Sequence, residues 1–384
     1  MKTKPRNHGS PHEARGTEIS GFGMGLYIHI PFCVSKCSYC DFLSFEGAKC
    51  QQQYVDALLA EMNTAHEIDT VYIGGGTPTA LPTPLLCKVL KKIQTFNIIR
   101  DIEVTVEMNP ITNAHSLLPE LKAHGVNRLS IGLQAWQDDL LAKVKRAHTS
   151  RDFTETIQAA HAAGIDNINV DLMFGLPGQT MEDWLESIAQ VISHAPQHIS
   201  AYSLTPAENT HLWNTLKSGE IIIPDDETDR AMYHEVIRQL AASGYRHYEL
   251  SNFAKPGFEG RHNANCWTRR PYLGFGLGAH SFDGSVRWHN TEDMKLYLEG
   301  SIQEGFQHLS TQDAMSEFMF LGLRMTDGIN PHDFQSQFGT NLSDCYGSII
   351  NELIVKGLLE YKDGKLALTS LGLDLANQVF ESFI

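Results

Sequence analysis

Three cysteines fall within eight residues, Cys33-Val-Ser-Lys-Cys37-Ser-Tyr-Cys40, directly after an apolar, β-type run. Thiolates are soft ligands, and iron–sulfur clusters take cysteine sulfur, one thiolate to an iron. A C-x3-C-x2-C triplet can therefore hold three irons of a [4Fe–4S] cube and leave the fourth iron open to a ligand that is not protein. Structural zinc would want a fourth Cys or His close by. His29 lies four residues upstream, but inside the expected strand. Zinc and free thiols are the plainer readings of the triplet. The other four cysteines, Cys50, Cys87, Cys266 and Cys345, are scattered, and an odd total of seven in 384 residues is no disulfide scaffold.

Further residues with chemistry follow at intervals. Gly74-Gly75-Gly76-Thr77-Pro78-Thr79 would let backbone approach a ligand closely, since glycine has no side chain in the way. It lacks the Lys-Ser/Thr of a P-loop, and its plainer reading is a tight turn. Glu107, Gln134 and Asp171 are polar residues at or near the ends of β-type runs.

The elements that must position these residues alternate. Short β-type runs recur at Leu26–Ile30, Thr70–Ile73, Ile102–Val106, Arg128–Leu133, Ile168–Met173 and Ile199–Leu204. Stretches of helical period lie between them, among them Gln52–His66, Pro84–Phe96, Phe153–Ala163 and Met181–His194. Gly125 and Gly164 stand where capping glycines end helices. Six β–α units in series imply an α/β fold with a parallel sheet and right-handed crossovers. Six units are too few for a closed eightfold barrel, so an open, partial (β/α)6 barrel is expected. The polar and Gly-rich residues gather at the C-terminal ends of its strands, where parallel barrels carry their active sites.

After about residue 205 the pattern changes. Asp225–Ser243 reads as a helix, and residues 251–310 as a loop-rich, mixed linker region full of aromatics, histidines and glycines. Asn330-Pro331 fits an N-cap followed by Pro at the first helical position. Leu342–Lys356 reads as a helix, Leu358–Ala367 as a hairpin and Thr369–Phe380 as a last helix. The expected organisation is a mobile tail over 1–20, a core over 21–250, the connecting region over 251–310, and a small helical, winged-helix-like domain over 311–384.

Composition excludes several classes. Hydrophobic residues make up 42 % of the chain, too many for a disordered protein. No apolar run approaches the roughly 20 residues that a bilayer span needs. The formal net charge of −15 opposes broad nucleic-acid binding. From Thr311 onward four Lys or Arg face ten Asp or Glu, which argues against a DNA-binding wing. Met1–Ser20 carries four basic and two acidic residues and lacks the apolar stretch of a secretory signal. The expectation is a cytoplasmic protein that meets a membrane only through a partner.

Tyr27-Ile-His-Ile-Pro-Phe-Cys33, the cysteine triplet and Asp41-Phe42 resemble the radical S-adenosylmethionine (radical SAM) superfamily, and within it the coproporphyrinogen dehydrogenase-like group. The Gly74–Thr79 loop, Glu107-Met-Asn-Pro110 and Gly132-Leu-Gln134 match as well, and the resemblance runs from about Gly25 to the C-terminus. It implies that Cys33, Cys37 and Cys40 ligate a [4Fe–4S] cluster whose open iron chelates SAM. Gly75, Gly76 and Thr77 would line SAM, Glu107 would accept hydrogen bonds from its ribose or amine, and Tyr27 would stack near the cluster or adenine. Glu107 could instead be a solvated strand end, and Tyr27 a core tyrosine. Relatives carry a second SAM site, which Gln134, Arg146 and Asp171 match here, with Tyr39 as the aromatic beside the cluster. Arg146 and Asp171 could equally form a buried pair.

Within that group two readings compete. The dehydrogenase extends its cysteine motif by a further Cys, where this chain has Phe42, and carries a long extension ahead of the motif, where about 25 residues precede the first strand here. The haem-chaperone branch has a Phe at that position and a His-Asn-x-x-Tyr-Trp motif, matched by His262-Asn-Ala-Asn-Cys266-Trp267 with Cys in place of Tyr. His and Cys are both axial haem ligands, and Trp267 offers a flat apolar surface to a porphyrin. His262 could also be a hydrogen-bonded loop histidine. The resemblance thus implies haem binding, with His262, Cys266 and Trp267 as the binding residues, and transfer to acceptor haemoproteins such as respiratory-chain enzymes. It leaves room for a homodimer. The alternative is an oxygen-independent coproporphyrinogen III dehydrogenase that decarboxylates propionate side chains through a SAM-derived radical. No catalytic residue is assigned on either reading.

Overall fold

Period two governs the first half of the chain, as a sheet with two unlike faces requires. The computed structural model describes residues 23–47, 49–110 and 113–384, so the tail expected over 1–20 lies outside the described residues. Six strands run parallel in chain order: β1 (Met24–Ile30), β2 (Ile68–Gly75), β3 (Ile98–Met108), β4 (Arg128–Gln134), β5 (Asn167–Phe174) and β6 (His198–Ser203). On one face Leu26, Ile28, Val71, Ile73, Val104, Val106, Leu129, Ile131, Ile168, Val170 and Ile199 are buried in one apolar core. The alternate residues are Tyr27, His29, Thr70, Tyr72, Glu103, Thr105, Glu107, Arg128, Ser130, Asn169, Asp171, His198 and Ser200. They make the other face polar, and it is this face that bears the chemistry.

Helices α1 (Gln51–Glu61), α2 (Thr83–Ile93), α3 (Ala114–Ala123), α4 (Ser150–Ala162) and α5 (Met181–Ser193) connect the strands and cover the apolar face. Thr149 and Thr180 close reciprocal capping boxes with Asp152 and Asp183 at the starts of α4 and α5. Gly125 and Gly164 follow α3 and α4 with φ of +93° and +74°, the left-handed step that ends a helix. Helix α3 is the run that the expected capping glycine Gly125 ends; Pro119 lies inside it, yet Leu117, Leu118 and Leu121 are buried and hold it against the sheet.

Both edges extend the sheet. After α6 (Asp226–Ala242), β7 (Arg246–Glu249) and β8 (Asn252–Ala254) add antiparallel strands beyond β6. Beyond β1 come β9 (Tyr272–Phe275), parallel to it, then antiparallel β10 (His280–Phe282), β11 (Val286–Asn290) and β12 (Gln303–His308). The order is β12-β11-β10-β9-β1-β2-β3-β4-β5-β6-β8-β7, an open sheet of twelve strands among the described residues. The region expected as loop-rich is therefore mostly regular. Its strands have three to six residues, and Gly276, Gly278 and Gly284 take positive φ between them. Runs that short, with polar outward positions, lack a readable alternation.

The C-terminal section has its own apolar core, from Met315 to Phe383. It comprises α8 (Thr311–Gly322), α9 (Pro331–Phe338), α10 (Leu342–Val355), the hairpin β13 (Leu359–Lys362) and β14 (Lys365–Leu368), and the short helices Ser370–Asp374 and Ala376–Glu381. Three helices followed by a hairpin have the order of a winged helix. Glu317 of α8 ties this section to the sheet by ion pairs of 2.9 Å to Arg269 and to Arg287. No helix among the described residues is long and apolar enough to cross a membrane.

Candidate functional site

The cysteine triplet occupies the loop that leaves β1 at its C-terminal end. Phe32–Cys33 pairs with Phe45–Glu46 and closes the base of the loop. Its middle is anchored from both sides: the Ser38 N–H donates to the Val144 carbonyl (3.1 Å), and the Leu212 N–H to the Ser38 carbonyl (2.8 Å). Lys36 Nζ donates to the Phe42 and Ser44 carbonyls at 3.2 and 3.3 Å. The backbone thus holds the loop, and the three thiols are left half-buried and free of disulfides.

Those thiols are not gathered within 4.8 Å of one another. One tetrahedral zinc ion with bonds of about 2.3 Å would draw its sulfurs to roughly 3.8 Å. Arg146 supplies the matching charge. Its guanidinium reaches Cys37 Sγ at 3.5 Å and Asn109 Oδ1 at 2.7 Å, and donates to the Gly132 carbonyl. Thr77 Oγ1 lies 3.6 Å from Cys33 Sγ and accepts from Asn109 Nδ2 at 3.1 Å. Burial holds the Cys40 thiol above its ordinary value, with the Phe42 backbone opposing. The site therefore joins the ends of β1, β2, β3 and β4. A cavity of about 490 Å³ opens beside it, lined by Cys37, Cys40, Asp41, Lys145 and the 208–211 segment, within the size range of small-molecule sites.

Of the expected SAM residues, Tyr27, Glu107 and Asp171 lie on the same polar face, and Gly75, Gly76 and Thr77 form the turn where β2 ends. The Gly74–Gly76 run has no room for side chains. A Cβ on Gly74 would sit 2.7 Å from the Glu107 carboxylate, and one on Gly75, whose φ is +107°, 2.4 Å from the His29 ring. Glu107 accepts from the Tyr72 hydroxyl at 2.7 Å and the Gly75 N–H at 3.2 Å. Burial, reinforced by Asp171, pushes its carboxyl up to about 7 against these hydrogen bonds. The Tyr27 hydroxyl bonds His29 Nδ1 at 2.9 Å, and its ring lies along that of Tyr72. Gln134 ends β4 at a bulge with φ of +72° and is buried. Tyr39 packs behind the cysteine loop against the small apolar cluster around Leu140 and Leu212. Asp171 takes hydrogen bonds from Ser130 (3.2 Å) and Asn169 (2.8 Å). Arg146 forms no ion pair with it among the described residues, so the buried pair considered for these two is not formed.

His262, Cys266 and Trp267 are elsewhere. They belong to α7 (Arg261–Trp267), which covers the N-terminal end of the same sheet. The Glu103 carboxylate accepts the Arg261 and His262 N–H groups at 3.2 and 3.1 Å, capping a helix whose own N-cap, Gly260, has no side chain. His262 Nδ1 bonds Thr70 Oγ1 at 3.0 Å, and the ring stacks on Tyr72 with centroids 5.3 Å apart. Thr70 and Thr77 are seven residues apart on one strand and its exit, roughly 20 Å at the usual rise. The structure does not bring this motif to the cysteine loop. His262 is 6 % exposed, and burial lowers its pKa to about 4. Burial pushes the Cys266 thiol up to about 11, so it is a thiol at neutral pH in this conformation. Trp267 lies under the Arg324 guanidinium, 4.3 Å from ring centroid to the cation.

Sequence reasoning assigned no role to Asn109, Tyr72 or His29. Asn109 had a signal, since it stands two residues after Glu107 and so shares its face. Tyr72 and His29 alternate with buried Ile and Val in the same way.

Comparison with known proteins bears on these sites. Residues 27–191 match the Radical SAM superfamily, and residues 309–375 match the HemN C-terminal domain. The chain is 38 % identical to the heme chaperone HemW of Bacillus subtilis (strain 168), over 93 % of this chain and 98 % of that one. It is 34 % identical to the HemW of Lactococcus lactis (93 % and 96 %) and 32 % identical to that of Escherichia coli (94 % and 98 %). Among solved structures, the coproporphyrinogen III oxidase HemN from Escherichia coli superposes with a TM-score of 0.82 at 22 % identity, over 94 % of this chain and 90 % of that one. At that identity the likeness is one of fold.

Proposed function

Because the chain belongs to the radical SAM superfamily and, within it, to the family of the heme chaperones HemW, we propose that it is a haem chaperone. It binds haem and, with a [4Fe–4S] cluster and SAM, delivers haem to acceptor haemoproteins such as respiratory-chain enzymes, in the cytoplasm. The observation that carries this reading is kinship of 30–38 % identity over nearly the whole length to proteins of that name. The coproporphyrinogen oxidase shares the fold at 22 %. The exposed Phe42, where the dehydrogenase motif has a further cysteine, supports the same choice.

Cys33, Cys37 and Cys40 are the residues that would hold the cluster, which when bound supplies an iron open to the amino and carboxylate groups of SAM. Arg146 places positive charge against Cys37 and ties the cysteine loop to β3 and β4 through Asn109 and Gly132. Gly74–Gly76 leave the backbone bare for the ligand, and Glu107 is the acceptor aimed at the same strand end. Haem ligation by His262 requires α7 to lift from the sheet, since Thr70 holds the ring and Tyr72 covers it.

Glu107 makes SAM binding pH-dependent. Its ionised form is the stronger acceptor for the ribose and the one whose charge attracts the amine, and its carboxyl titrates at about 7. SAM affinity, followed by equilibrium dialysis on the cluster-loaded chain, is expected to rise roughly tenfold between pH 6 and pH 8. Glu107→Gln is expected to bind weakly with no such rise; a pH step that survives the substitution assigns the titration to another group.

The test of function is an anaerobic haem titration of the cluster-loaded chain followed in the Soret band. Saturation near one haem per chain is expected. No binding above a non-haem control protein would sink the chaperone reading, and turnover of coproporphyrinogen III would then be the activity to assay.

A further inference from the structure

Away from the polar face, on the outer helical layer, a second group of ligand-type side chains comes together. Cys87 lies on α2, and Glu120 and His124 lie on α3 and its C-cap. The Cys87 sulfur, a Glu120 carboxylate oxygen and a His124 ring nitrogen all lie within 4.8 Å of one another, the only such trio among the described residues. Glu120 and His124 are four residues apart, one helical turn, so they share a face. The two helices are held by their buried faces, with Leu86 and Leu90 on α2 and Leu117 and Leu121 on α3. The trio sits at the outer rim of that contact.

Each member presents its ligand atom without another partner. His124 Nδ1 lies 2.7 Å from the Glu120 carbonyl oxygen, which can only accept, so Nδ1 carries the proton and Nε2 keeps a lone pair. A backbone carbonyl on the second nitrogen is the usual way a ligating histidine is oriented. Among the described residues no hydrogen bond or ion pair engages Cys87 Sγ or the Glu120 carboxylate. Cys87 is buried, Glu120 exposed and His124 between, so the trio runs from the interior to solvent. Burial and the nearby Glu120 carboxylate both raise the Cys87 thiol, with Lys91 opposing. That is a repulsion between two anionic forms which a dication would relieve.

We propose that Cys87, Glu120 and His124 form a zinc-binding site that clamps α2 to α3, distinct from the cysteine loop. Sulfur, imidazole and carboxylate together suit the borderline-soft Zn²⁺ ion, and three protein ligands leave the fourth tetrahedral position to water. Binding releases the Cys87 thiol proton to solvent. Thiolate and carboxylate then neutralise the dication, and His124 binds as the neutral imidazole. Ligand atoms already within 4.8 Å need to close by about 1 Å, a side-chain adjustment and not a movement of the helices.

The test uses the full chain with its cluster loaded and iron content measured, dialysed against zinc sulfate at a fixed free concentration. Zinc per chain is then read by plasma mass spectrometry. About one zinc per chain is expected in the wild type and in Cys345→Ser, with at least tenfold weaker retention in Cys87→Ser, His124→Ala and Glu120→Gln. Glu120 is exposed, so Glu120→Gln removes a ligand without disturbing the core and separates lost binding from lost folding. A wild type that holds no more zinc than the Cys87→Ser/His124→Ala double variant overturns the proposal. Zinc that persists in all three single variants and disappears with Cys37→Ser also overturns it, by placing the ion at the cysteine loop.

Discussion

Replacing any one of Cys33, Cys37 and Cys40 by serine is expected to strip the chain of its cluster, with iron after anaerobic reconstitution falling from about four atoms per chain to fewer than one. Each thiolate serves its own iron, and none of the other four cysteines lies on the loop to substitute. Cys50→Ser and Cys345→Ser are expected to keep full iron. Arg146→Ala adds a graded case. It deletes the positive charge beside Cys37 and leaves the Gly132 carbonyl and Asn109 without their donor inside the fold. An unpaired buried polar group costs about 1–3 kcal/mol, so this variant is expected to be less stable and to hold iron less firmly than the wild type. Iron analysis and the visible absorption of the cluster read both. Full iron in a Cys37→Ser chain would remove that residue from the ligand set and reopen the choice between a cube and another metal.

His262→Ala is expected to change two properties that can be separated. The ring is buried, bonded to Thr70 and stacked on Tyr72, so its loss leaves a cavity and an unpaired hydroxyl. A destabilisation of about 2–4 kcal/mol follows. The pH dependence carries a definite sign. The folded ring stays neutral down to about pH 4, while in the unfolded chain it takes a proton near 6.5. Its contribution to stability is therefore complete above pH 6.5 and is lost as pH falls from 6.5 towards 4, by about 3 kcal/mol in all. Urea unfolding at pH 7.5 and pH 5 reads this, and the difference between the two is expected to shrink in the variant. Haem affinity, measured at a temperature where both chains are folded, is expected to fall at least tenfold. An unchanged Soret titration together with lowered stability would assign His262 to the core alone and move the haem site away from α7.

The cysteine triplet was legible because all its information is local. Eight residues set the spacing of three thiols, and no distant part of the chain is needed to read it. The six parallel strands were legible for a related reason. Ile, Val and Leu at every second position set a period of two, and the helical stretches between them set one of 3.6. The same alternation already contained the polar face, through Tyr27, His29, Thr70, Tyr72, Thr105, Glu107, Ser130 and Asp171. Read as apolar runs, these segments hid it.

Other features needed the folded chain because they join segments distant in sequence. Thr77, Asn109, Arg146 and Cys37 meet only where four successive strands end side by side. Cys87 meets Glu120 and His124 only because α2 packs on α3. The short strands between Tyr272 and His308 exist because an open sheet offers an edge for them to pair with, a fact absent from their own composition. Thr70 and His262 are 192 residues apart. The sequence could say that His262 begins a motif with haem-ligand chemistry. Whether its ring faces solvent or seals the end of a sheet was decided by Glu103 capping α7 and by Tyr72 lying beneath it, contacts that no local spacing encodes.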